Sequence, residues 1–140
     1  MNSQGGGGTF DANGSVAEGD SQVLAAMDPV SVTVKTLRAG DATHKPVKGQ
    51  TVRIHYDAWL KSSGDKFDSS HTRGHAFEFV LGANQVIKGW EEFFPDLSLN
   101  QKVRVEIPPQ LAYGRRGYPP IVPPNETLIY EIELISFSNL

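Results

Sequence analysis

The chain has 140 residues, 39% of them hydrophobic and 21% charged, which fits one globular domain and hardly two. It has no cysteine, which excludes disulfides, zinc–thiolate sites and cysteine nucleophiles. The formal charge of −3 argues against a nucleic-acid footprint, and no run approaches the ~18 consecutive apolar residues of a membrane-spanning helix.

Residues 1–28 hold Asp11, Glu18, Asp20 and Asp28, no Lys or Arg, and six of the 14 glycines. Such a stretch buries too little apolar surface to offset its ordering entropy. A disordered, acidic, Gly-rich tail is expected there, with the folded domain over 29–140. No basic region precedes an apolar one, so no secretion signal is read. The cytosol is the expected compartment, with the nucleus as the alternative.

Five runs then alternate with period two. They are Val30/Val32/Val34, Val52/Ile54/Tyr56/Ala58, Phe77/Phe79/Leu81, Val103/Val105/Ile107 and Leu128/Tyr130/Ile132/Leu134. This rhythm predicts strands with one dry and one wet face, which suits an antiparallel sheet. Between the third and fourth runs, Val86, Ile87, Trp90 and Phe94 share a helical face, and Pro95 is expected to end that helix. The fold class is therefore α+β: a twisted antiparallel sheet of about five strands around one short helix.

Two connections, 61–76 and 108–126, exceed the ~12–15 residues usual for compact domains, which is uncommon unless a loop is functional or disordered. The second holds six of the nine prolines together with Tyr113, Tyr118, Ile121 and Val122, and reads as a stiff pocket wall, with tacking of the loop to the sheet as the alternative. Nucleophile-and-base chemistry is not signalled. There is no phosphate loop and no nucleophile elbow. Glu91 and Glu92 are neighbours, so on a helix they point apart. His44, His55, His71 and His75 lack helical ligand spacing, so no metal is expected.

The segments Val52–Tyr56, Lys66–Ser70, Phe77–Gly82, Gln85–Glu92, Ala112–Gly114 and Ile121–Leu128 stand in an order and spacing that resemble the FKBP-type peptidyl-prolyl cis–trans isomerases, the tacrolimus- and rapamycin-binding immunophilins. The resemblance covers about ninety residues, 47–135. It implies a pocket between helix and sheet, beneath the long loops. Trp90 would be its indole floor, with Tyr56, Phe77, Tyr130 and Phe67 as aromatic walls. Val86 and Ile87 would form its edge, and the Ile87 N–H would donate to a ligand carbonyl. Asp68 and Tyr113 would orient the ligand. Gln85 would be a further binding contact, and Tyr118, Ile121 and Val122 the rim. Tyr56, Asp68, Trp90, Tyr113 and Tyr130 are thus the expected catalytic set. Phe79 is read as a core residue.

Where the family often has Phe, His, Glu, Gly and Gly, this chain has Tyr130, Tyr118, Gln85, Phe93 and Asn100. Phe93 is taken as ordinary packing, with a partner surface as the alternative. Asn100 tolerates the left-handed conformation that glycine would adopt.

The implied activity is rotation about X–Pro bonds. Resonance sets a barrier of ~18–20 kcal/mol, and the twisted transition state has lost that conjugation. Its carbonyl is less polar than that of the planar amide, so a dry aromatic pocket narrows the barrier provided it holds the twisted form better. No cofactor is needed. Expected partners are proline-containing peptides and proteins, tacrolimus or rapamycin as inhibitors, and drug-dependent protein complexes. A monomer without nucleic-acid or membrane partners is expected. The competing reading is a module that holds a proline motif or a partner without turnover. Trp90→Ala and Asp68→Ala are expected to lower activity while the fold survives.

Overall fold

The computed structural model of the chain describes residues 30–138; the expected tail over 1–28 lies outside them. The elements in order are β1 (Thr33–Arg38), β2 (Thr51–Leu60), β3 (Lys66–Ser69), α1 (Ser70–Arg73), β4 (Phe77–Val80), α2 (Lys88–Phe93), β5 (Lys102–Ile107) and β6 (Leu128–Ser138). Single 3-10 turns follow α2 and β5, at Phe94–Asp96 and Pro109–Leu111. All six strands pair antiparallel in one sheet of order β1-β5-β6-β2-β3. β4 pairs with the first half of β2, on residues Thr51 to Ile54, while β3 pairs with Asp57 to Trp59 further along.

The alternation in the sequence becomes the dry face of this sheet. Val52, Ile54 and Ala58 on β2, Val103, Val105 and Ile107 on β5, and Leu128, Ile132 and Leu134 on β6 are all fully buried. At about 1.5–3 kcal/mol for each large apolar side chain taken from water, this stripe is the main source of stability. Helix α2 and the turn after it pack against it through Trp90, Phe93 and Phe94, all buried. Phe93 stacks on Phe94 with ring centroids 4.7 Å apart, so it packs inward and forms no partner surface. Gly89 lets the helix approach β5. A Cβ there would lie 2.6 Å from Ile107 Cγ2, closer than carbon atoms tolerate.

Two sequence expectations are corrected. The first strand lies at Thr33–Arg38 and not at Val30, and every residue of it is exposed. It is an edge strand whose side chains meet no second layer, so period two there reflects pleating without burial. The helix starts at Lys88, because Val86 and Ile87 stay extended, with Ile87 at φ −60°, ψ 152° as the N-cap. Pro95 ends the helix as expected, the last α-helical residue being Phe93. It sits inside the 3-10 turn Phe94–Asp96, near its start, where its missing N–H has no carbonyl to lose. Asn100 adopts φ 71°, the left-handed turn expected of it.

Candidate active site

A cavity of about 150 Å³ opens between α2 and the sheet. A hollow of that size holds a benzene-sized ring in an apolar interior. Each element contributes through its own local logic. β2 turns Tyr56 to the dry face. β3, too short and polar to show a periodic signal, pairs with β2 and brings Phe67 and Asp68 beside Tyr56. β4 supplies Phe77, α2 supplies Trp90, the extended residues before α2 supply Gln85, Val86 and Ile87, β6 supplies Tyr130, and the proline-rich loop supplies Tyr113.

Trp90 lies across the base, 4% exposed. Tyr130, Tyr56 and Phe77 meet it edge-on, with centroids at 5.1, 5.3 and 6.0 Å. Edge-to-face packing of this kind fixes ring orientation as well as burying area. The Trp90 Nε1 is buried and has no hydrogen-bond partner among the described residues. Phe79 and Phe94 support the indole from the core side. The Ile87 N–H, at the N-cap of α2, lies where no intrahelical carbonyl reaches it.

The polar side of the cavity is a three-residue network. The Tyr56 hydroxyl donates to Asp68 Oδ2 at 2.5 Å, Arg73 Nη1 donates to Asp68 Oδ1 at 2.5 Å, and Arg73 Nη2 donates to the Tyr56 oxygen at 3.0 Å. The Ser69 N–H also donates to Asp68 Oδ1, at 2.8 Å. Helix α1 makes this possible. Its N-cap Ser69 accepts from the Thr72 N–H, and Gly74 closes it in the left-handed region at φ 80°, which puts Arg73 back over Asp68. Ser70 ties α1 to β2 by accepting the Tyr56 N–H at 2.8 Å.

Arg73 was not among the residues singled out from sequence. Its signal was the Ser69…Gly74 cap pair, which encodes a single helical turn inside what reads as a loop. Of the expected rim residues, Val122 is the one placed differently. Tyr118 and Ile121 are 55% and 46% exposed and stand outside the cavity, with Tyr118 stacked on Tyr113 at 5.4 Å. Val122 is 1% exposed and belongs to the core, because its N–H and C=O both bond the Tyr118 backbone and turn its side chain inward. Gln85 lines the cavity, but its side-chain oxygen accepts the Val80 N–H at 2.9 Å and so holds the end of β4.

Burial and the Asp68 hydrogen bond push the Tyr56 phenol up to about 12, against the opposing pull of Arg73. Burial raises Tyr130 well above its usual value, and burial with Tyr118 and Asp68 raises Tyr113. All three phenols ionise later in the folded chain than in the unfolded one. The stability they contribute is therefore intact below about pH 10 and declines as the pH passes from about 10 to about 12. The urea midpoint should hold up to pH ~10 and fall across that window. A midpoint that stays level throughout it would contradict the burial of these phenols.

Residues 42–135 match the FKBP-type peptidyl-prolyl cis–trans isomerase family. The chain belongs to that family. FK506-binding protein 1 of Kluyveromyces lactis is 44% identical over 108 residues, covering 77% of this chain and 94% of that protein. FK506-binding protein 1 of Rhizopus delemar is 45% identical over 109 residues, covering 78% of this chain and all of that protein. The peptidyl-prolyl cis–trans isomerase FKBP1A of Xenopus laevis is 44% identical over 106 residues, covering 76% and 97%. This FKBP is thus a peptidyl-prolyl cis–trans isomerase, and the alternative of a module without turnover is not favoured. No helix among the described residues of this FKBP is long and apolar enough to cross a membrane.

Proposed function

We propose that the hollow over Trp90 takes the pyrrolidine ring of an X–Pro peptide and lets the imide bond rotate there without covalent attack. The observation that carries this is a ring-sized cavity floored by a buried indole and walled by Tyr56, Phe77 and Tyr130. Inside it the planar amide loses the water that favours its polar ground state. The Ile87 N–H and the Tyr113 hydroxyl hold the flanking chain. Asp68, kept in place by Tyr56, Arg73 and the Ser69 N–H, presents a fixed carboxylate beside the reacting carbonyl. Only interactions better made to the twisted form than to the planar one accelerate the step.

The same pocket is proposed to bind FK506 or rapamycin, as the names of the relatives record for FK506. Cis–trans exchange of a proline peptide, followed by NMR with and without FK506, tests both statements. The expected result is acceleration that FK506 abolishes. Asp68→Ala strips Tyr56 and Arg73 of their shared acceptor and should lower kcat/KM by about ten-fold or more, in line with the loss of charge-assisted hydrogen bonds. Full turnover in Asp68→Ala, or acceleration untouched by FK506, would overturn the assignment of this cavity.

A further inference from the structure

The chain has six arginines. Arg38, Arg53, Arg73 and Arg104 each pair with a carboxylate, Glu133, Glu78, Asp68 and Glu131 respectively. Arg115 and Arg116 are exposed, and neither has an ion-pair partner among the described residues. They follow Tyr113, which lines the cavity, and precede Tyr118, which stacks on it. Arg115 is two residues from Tyr113, so their Cα atoms are at most ~7 Å apart.

The turn that carries the two arginines is held at both ends. Gly114 N–H bonds Pro109 C=O at 2.8 Å, Gly117 N–H bonds Tyr113 C=O at 3.0 Å, and Asn125 N–H bonds Gly114 C=O at 2.9 Å. The two arginines are therefore carried on a fixed backbone, two and three residues beyond the cavity-lining Tyr113. On the helix side of the mouth, exposed Lys88 follows Ile87 and also has no ion-pair partner among the described residues. The carboxylate that lines the cavity, Asp68, is already bound by Arg73. The entrance thus carries uncompensated positive charge on a chain whose formal net charge is −3.

We propose that Arg115 and Arg116 select substrates, favouring proline peptides with a Glu or Asp close to the X–Pro bond on the side that passes the 113–122 loop. This rests on the reading of the cavity as the proline site. A carboxylate a few ångströms from two exposed guanidinium groups gains a modest attraction from each, so the preference is expected to be about five-fold. It should shrink as salt shortens the screening length from ~30 Å at 0.01 M to ~3 Å at 1 M.

The test compares peptides that differ only in Glu, Gln or Lys beside the X–Pro unit, placed before or after it. NMR exchange gives kcat/KM, and calorimetry gives Kd. At low salt the order Glu, Gln, Lys is expected in at least one placement. Arg115→Gln/Arg116→Gln should bring the Glu-to-Gln ratio below about two-fold, the remainder reflecting Lys88, whereas Arg115→Lys/Arg116→Lys should retain the preference. Equal Glu and Gln values in the unmodified chain at low salt, or an unchanged ratio in the Gln variant, would overturn the proposal. Turnover of the Gln peptide is a separate readout of the isomerase reading. If that turnover were absent, the ratio of Kd values would still decide the role of the arginines.

Discussion

Trp90→Ala is expected to cost about 3–5 kcal/mol of stability and to abolish turnover, with a fall in Tm of more than about 10 °C. The indole is 4% exposed and touches rings from four strands and turns at once: Tyr56, Phe77, Tyr130, Phe79 and Phe94. Its removal opens the base of the active site directly into the core. The sequence-based expectation that the fold survives this change intact is therefore revised. The residue is pocket floor and core pillar together, and alanine cannot separate the two roles. Trp90→Phe can. It keeps a ring against Tyr56 and Tyr130, so the cooperative thermal transition should persist while kcat/KM falls by about ten-fold, a cost of roughly 1.4 kcal/mol in transition-state binding. Thermal unfolding followed by circular dichroism, run beside NMR exchange, reads both. An alanine variant as stable and as active as the unmodified chain would refute the placement of Trp90.

Gly117→Ala should remove about 3 kcal/mol of stability and weaken FK506 binding, although the residue lies outside the cavity. Gly117 has φ 67°, and a Cβ there would stand 2.5 Å from the Val122 carbonyl oxygen and 2.7 Å from the Pro123 carbonyl carbon. Both are backbone atoms, so no side chain can swing aside. The loop must open, which breaks the paired hydrogen bonds between Tyr118 and Val122 and releases Tyr118 from its stack on Tyr113. Calorimetric titration with FK506 and a urea unfolding curve measure the two effects. Unchanged affinity would mean that the rim loop does not shape the pocket.

What the sequence makes legible follows from which signals are local. The central strands are plain, because Val52 to Ala58, Val103 to Ile107 and Leu128 to Leu134 each run long enough for period two to register, and each buries one face. β3 has four residues, Lys66 to Ser69, and no apolar alternation; its strand state comes from pairing with β2, which no local pattern reveals. β1 errs the other way. Val30, Val32 and Val34 alternate at and before it, but burial depends on a facing layer, and the edge position supplies none.

For the site, the aromatic floor and walls came from a family resemblance carried by several ordered segments, and the cavity gathers Tyr56, Phe67, Phe77, Trp90, Tyr113 and Tyr130. Arg73 escaped notice because its partnership with Asp68 depends on one turn of helix reversing the chain over five residues. Val122 was read as rim from the same resemblance, whereas it is buried. The backbone pairing with Tyr118 determines which of the two side chains faces inward.

The order of strands across the sheet has a consequence for biosynthesis. β6, which follows all the other strands in the chain, lies in the middle of the sheet between β5 and β2, and it carries Tyr130. A nascent polypeptide emerging from the ribosome can make the β2–β4 and β1–β5 pairings early, but the two groups stay unjoined until residues 128–138 have been synthesised. These joining contacts span long stretches of chain, so closure is slow to nucleate and then cooperative. Completion of the aromatic wall and completion of the fold are one event, so a translation product stopped short of Leu128 has neither.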